Sequence, residues 1–125
     1  MLTREIAIKQ AIDFILDCFK YGISIEKAIL FGSIAKNEQR EYSDIALISN
    51  QFTDNFILNN KLTSKINIRF PLIEVHHFNS DYYKKGDPFI NEINSTGFKL
   101  KWQIPENQTI YLIHSAHQVT FESCK

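Results

Sequence analysis

The stretch Ala28-Ile-Leu-Phe-Gly-Ser-Ile-Ala-Lys-Asn-Glu-Gln-Arg-Glu-Tyr-Ser-Asp-Ile-Ala-Leu-Ile48 decides the fold. It reads as an apolar strand, a Gly-Ser turn, a short polar excursion and a second strand entered through Ser43-Asp44. Gly32, directly after Ala28-Ile29-Leu30-Phe31, lets the backbone bend sharply and lets a ligand come close, because it has no Cβ. Ser33 would begin a short helical turn whose unpaired N–H groups and hydroxyl suit a phosphate. Along the second strand the side chains alternate, so Asp44 and Ala46 share one face, toward the turn, while Ile45 and Leu47 point to the core.

Working outward, residues 3 to 20 form the clearest helix. Ile8, Ala11, Ile12, Ile15, Cys18 and Phe19 recur at three- and four-residue spacing, with Lys9, Asp13, Asp17 and Lys20 opposite. Thr3 suits its start and Gly22 its end. Residues 26 to 31 and 43 to 49 are the two strands of the quoted stretch. Beyond them, the polar run from Asn50 leads into a helix reaching Ser64. Ile66, Ile68 and Phe70 then continue either as the tail of that helix or as a short strand. Leu72 to Phe78 is a strand rich in β-branched residues, and Asn79 or Ser80 caps a helical turn through Tyr82 and Tyr83. Asp87-Pro88 opens a further helix that Gly97 ends. Phe98 to Trp102 alternates as a strand. The expected fold is α/β (α+β), a small mixed sheet with helices mainly on one side.

The bulk properties frame this reading. A chain of 125 residues fits one domain, 1–125, able to bury about two-thirds of its unfolded surface. Apolar residues make up 44% and charged residues 22%, a balance that argues against disorder. Fourteen basic and fourteen acidic residues cancel, so a general nucleic-acid binder is not expected. Tyr82-Tyr83-Lys84-Lys85 is accordingly read as partly packed surface rather than a stacking platform. The two cysteines, Cys18 and Cys124, make no disulfide framework, which points to a reduced, cytoplasmic setting. No apolar run approaches the length of a membrane span.

The quoted stretch resembles the nucleotidyltransferase superfamily of DNA polymerase β type, in particular its minimal (MNT antitoxin) members. That family's pattern is Gly-Ser, a spacer with a further Gly, then Ser-Asp-x-Asp-hydrophobic, with a third carboxylate on a later strand. Gly32, Ser33, Ser43 and Asp44 match, and Ile73-Glu74-Val75-His76 matches the Ile-Glu-x-His of many small members. Asn37 stands at the usual second glycine, and Ala46 stands at the second metal-binding Asp. The resemblance covers about residues 4 to 101 and leaves 103 to 125 unassigned; that tail could complete the site or mediate a homo-oligomer.

The resemblance implies a nucleoside triphosphate partner, ATP with Mg²⁺, and transfer of a nucleotidyl group to a protein or other hydroxyl acceptor. In those roles Gly32, Ser33 and Ser43 hold phosphate. Asp44 ligates metal, and Glu74 ligates metal or acts as base; on its apolar strand, a carboxylate needs a partner. The resemblance also implies a HEPN-type protein partner. Ala46 opens a second reading, since a methyl group cannot coordinate Mg²⁺: a catalytically inactive, partner-neutralising antitoxin or nucleotide-binding module. The histidines are not read as a zinc site. His76 and His77 are adjacent on a strand and point to opposite faces, and the segment holding His114 and His117 begins as a strand.

Overall fold

The computed structural model describes residues 3–32, 34–35 and 42–104. The elements run α1 (Arg4–Lys20), β1 (Lys27–Phe31), β2 (Ser43–Ser49), α2 (Phe56–Asn67), β3 (Ile73–Asn79), α3 (Ser80–Lys85), α4 (Pro88–Thr96) and β4 (Phe98–Lys99). Among the described residues they form one four-stranded sheet in the order β3-β2-β1-β4. β1 runs antiparallel to both β2 and β4, whereas β2 and β3 are parallel. The parallel pair requires a crossover, and α2 supplies it. The fold is therefore the mixed α+β arrangement expected from the sequence.

Each helix starts where its cap chemistry dictates. Thr3 Oγ1 accepts the Ile6 N–H at the head of α1, Asn55 Oδ1 accepts from Leu58 at α2, and Asp87 Oδ1 accepts from Ile90 at α4, with Pro88 at the first helical position. α1 buries Ala7, Ala11, Phe14, Ile15, Cys18 and Phe19 against the sheet. The main core joins these to Ala28, Leu30, Ile45, Leu47, Ile73, Leu100 and Trp102. A second, smaller cluster lies on the other face, where Tyr83 of α3 and Ile90 and Ile93 of α4 cover Ile29, Phe31, Ala46 and Ile48.

α2 extends to Asn67, so Ile66 and the residues around it are the tail of the helix rather than a strand. Its buried positions are Asn59, Thr63 and Ile66. Asn59 is satisfied there: it accepts from the Thr53 N–H and donates to the Thr53 carbonyl, both at 2.8 Å. The expected strand from Phe98 to Trp102 pairs only at Phe98 and Lys99. The Leu100 N–H still reaches the Ala28 carbonyl at 2.9 Å, and Leu100 and Trp102 keep their inward alternation. Gly97 lets α4 close onto β1, since a Cβ there would meet Ile29 Cγ2 and the Ile93 carbonyl oxygen at 2.5 Å. The tail from residue 105 lies outside the described residues.

Candidate functional site

The rim where β1 ends and β2 and β3 begin gathers the residues that carry chemistry. Register explains why. Phe31 pairs with Asp44 across the antiparallel ladder, so Gly32 turns the chain immediately beside Asp44. On the other side Asp44 pairs with Glu74 and Ala46 with His76 across the parallel ladder. Since side chains alternate, Asp44, Ala46, Glu74 and His76 share one face.

Gly32 has a φ of 79°, the left-handed region that disfavours a side chain. A Cβ there would stand 2.9 Å from Asp44 Oδ2. The close approach expected at this glycine is thus made by the carboxylate of Asp44. His76 Nε2 lies 3.2 Å from Asp44 Oδ1, an ion pair only when the imidazole is protonated. Asp44, Glu74 and His76 can each offer one ligand atom, all within 4.8 Å of one another. Donors around a small divalent cation at about 2.1 Å stand at most about 4.2 Å apart, so a slight side-chain adjustment would let all three reach one ion. The donor set fits one divalent cation. It holds no carboxylate at position 46 to bridge a second.

The walls are aromatic. The His76 ring meets Phe31 edge to face at 5.0 Å and Phe89 at 6.1 Å, and Phe89 meets Phe31 at 5.7 Å. Glu74 is exposed, and the side chains of Asp44 and His76 are 25% and 35% exposed, so the donors stay open to solvent. On the opposite face His77 packs edge-on against Phe52 at 4.7 Å and shares a hydrogen bond of 2.9 Å with the Thr63 hydroxyl. Burial, aided by the neighbouring His76, lowers its pKa to about 4.

Of the residues singled out in the sequence, the structure brings Gly32, Asp44 and Glu74 together. Ser43 is fully buried, and alternation places it on the Ile45 face. Its N–H donates to the Leu72 carbonyl at 2.9 Å, and its hydroxyl has no hydrogen-bond partner among the described residues. Ser33 lies outside the described residues. Sequence reasoning gave His76 no role. The signal was the i, i+2 spacing from Glu74, which on a strand sets both side chains on one face.

No family model matches the sequence, and no curated protein matches it significantly. Solved structures do match in three dimensions. A Shewanella oneidensis complex of a tri-AMPylated HEPN toxin with MNT antitoxin contains a chain that matches at a TM-score of 0.50 and 14% identity, over 90% of this chain and 83% of that one. A mutant of the toxin–antitoxin complex MntA-HpeT matches at a TM-score of 0.48 and 15% identity, over 82% and 81% of the two chains. No described helix is long and apolar enough to cross a membrane. The chain has the fold of a minimal nucleotidyltransferase of MNT type.

Proposed function

We propose that the rim at Gly32, Asp44 and Glu74 binds a nucleoside triphosphate, ATP by resemblance, together with one divalent cation, and that the chain transfers the nucleotidyl group to a hydroxyl of a protein partner. The observation carrying this reading is the convergence of the Asp44, Glu74 and His76 donor atoms within 4.8 Å, beside a glycine turn fitted against Asp44. Asp44 and Glu74 would hold the cation; when bound, it would neutralise phosphate charge. In the transfer, the acceptor oxygen bonds to the α-phosphorus, the bond from that phosphorus to the pyrophosphate oxygen breaks, and the hydroxyl proton passes to a base. Where Glu74, exposed at the rim, does not ligate the cation, it is the residue assigned to take that proton. The likeness to a complex containing an AMPylated HEPN toxin makes a HEPN-type protein the partner to try first.

Ala46 favours a second reading, a binding protein without transfer activity. Its methyl is fully buried, so nothing at that position bridges two cations. Incubation with α-labelled ATP, a divalent cation and a co-purifying partner separates the two. Label on the partner that disappears with Asp44→Ala supports transfer. Nucleotide binding without label supports the binding protein, and the absence of both overturns the assignment of this rim to nucleotides.

A further inference from the structure

The position opposite Ala46 in the β2–β3 register is His76, and it points into the same rim as Asp44 and Glu74. The imidazole stands on the strand next to the methyl group, where a carboxylate from β2 would otherwise reach the rim. Phe31 and Phe89 hold its ring in edge-to-face contacts, and Nε2 is directed at Asp44 Oδ1 at 3.2 Å. These contacts restrict the ring before any ion arrives, which lowers the entropic cost of ligation. The protein donor set is therefore two carboxylates and one nitrogen.

Donor type decides which cation such a set retains. Mg²⁺ prefers oxygen ligands in octahedral geometry and binds imidazole poorly. Imidazole suits the later first-row dications, and affinity for a mixed nitrogen–oxygen site rises from Mn²⁺ towards Zn²⁺. We propose that His76 serves as third protein ligand beside Asp44 and Glu74, and that the rim, with no carboxylate at position 46, selects a first-row transition dication such as Mn²⁺ or Zn²⁺ over Mg²⁺. The inference rests on reading the rim as a cation site, and it holds whether or not nucleotidyl transfer occurs.

The test uses the untagged full chain and the metal salts alone, without nucleotide. Isothermal titration with MnCl₂, ZnCl₂ and MgCl₂ should show one equivalent of Mn²⁺ and of Zn²⁺ bound at least about tenfold more tightly than Mg²⁺. The electron spin-echo spectrum of bound Mn²⁺ should carry ¹⁴N modulation from one imidazole. His76→Ala should abolish that modulation and weaken Mn²⁺ binding by about 10- to 100-fold, with a smaller loss for Mg²⁺. The ¹⁴N signature of the native chain decides the matter even where the variant does not fold. Equal affinity for Mg²⁺ and Mn²⁺, Mn²⁺ bound without ¹⁴N modulation, or no Mn²⁺ bound would each overturn the proposal. Label transfer supported by Mg²⁺ with no ¹⁴N signal would sink this inference alone. A ¹⁴N-coupled Mn²⁺ site with no nucleotide binding would sink the nucleotide reading alone.

Discussion

Gly32→Ala tests how closely the β1 turn and the carboxylate of Asp44 are fitted to each other. Two costs are expected, and the molecule contains a control for one of them. Gly32 and Gly22 have φ of 79° and 84°, so a methyl at either position pays the same left-handed strain, roughly 1–2 kcal/mol. At Gly22 a Cβ would meet nothing within 4 Å, whereas at Gly32 it would meet Asp44 Oδ2 at 2.9 Å. Relief there requires the carboxylate to swing by about 0.5 Å, which costs about 1 kcal/mol or less because the obstacle is the end of a side chain. Gly22→Ala should therefore lose about 1–2 kcal/mol and Gly32→Ala about 1–3 kcal/mol in urea unfolding with chelator present, falls of about 4–8 °C and about 4–12 °C in Tm for a chain of this size. Their ligand behaviour should differ. Gly22→Ala should bind Mn²⁺ like the native chain, while Gly32→Ala should bind it about tenfold more weakly, since moving one donor spoils the shared geometry of Asp44, Glu74 and His76. Equal Mn²⁺ affinity in the two alanine variants would refute the coupling between turn and carboxylate.

Other perturbations follow from single contacts. His77 has a folded pKa of about 4 against 6.5 in the unfolded chain, so the unfolded state binds more protons between those values. Its contribution is intact above pH 6.5 and is lost as the pH falls toward 4; in metal-free urea titrations, His77→Phe should remove up to about 3 kcal/mol of that acid-linked loss relative to native. Gly97→Ala should cost at least about 2 kcal/mol although its φ is ordinary, because the new methyl meets the Ile93 carbonyl and Ile29 at 2.5 Å; an unchanged Tm would show that α4 moves freely against β1. Ala46→Asp should be destabilised by about 3 kcal/mol with chelator present, since that position is fully buried beside Ile29, Ile90 and Ile93, and Mn²⁺ should restore part of the loss; native-like stability in chelator would show that the rim already has room for a carboxylate.

The helices and strands whose apolar residues face inward were legible from periodicity, as α1 and β2 illustrate. α2 was harder for a physical reason. Its buried positions 59, 63 and 66 are Asn, Thr and Ile, while Phe56, Ile57 and Leu58 are exposed, so its apolar periodicity does not mark its packed face. Phe98 to Trp102 illustrates another limit. Alternation reports which side chains turn inward, and Leu100 and Trp102 do so, but it does not report how far backbone pairing runs. The second cluster had a signal in the unbroken apolar run Ile45-Ala46-Leu47-Ile48, which reads as a strand covered on both faces.

The candidate site was legible to the depth of one strand. Asp44 and Ala46 could be assigned to one face from their spacing, as could Glu74 from its own strand. What the sequence leaves open is the register that joins two parallel strands lying about thirty residues apart. A one-residue slip would reverse which side chains of β3 meet Asp44, setting Val75 and His77 at the rim in place of Glu74 and His76. Two features make the observed register the stable one. It sends Ile73 and Val75 into the main core, and it lets His77 bond Thr63 of the crossover helix. The packing of the helical face thus sets which donors reach the opposite face. His76 is placed beside Ala46 by the burial of its neighbours, and the proposed change of cation preference follows from that placement.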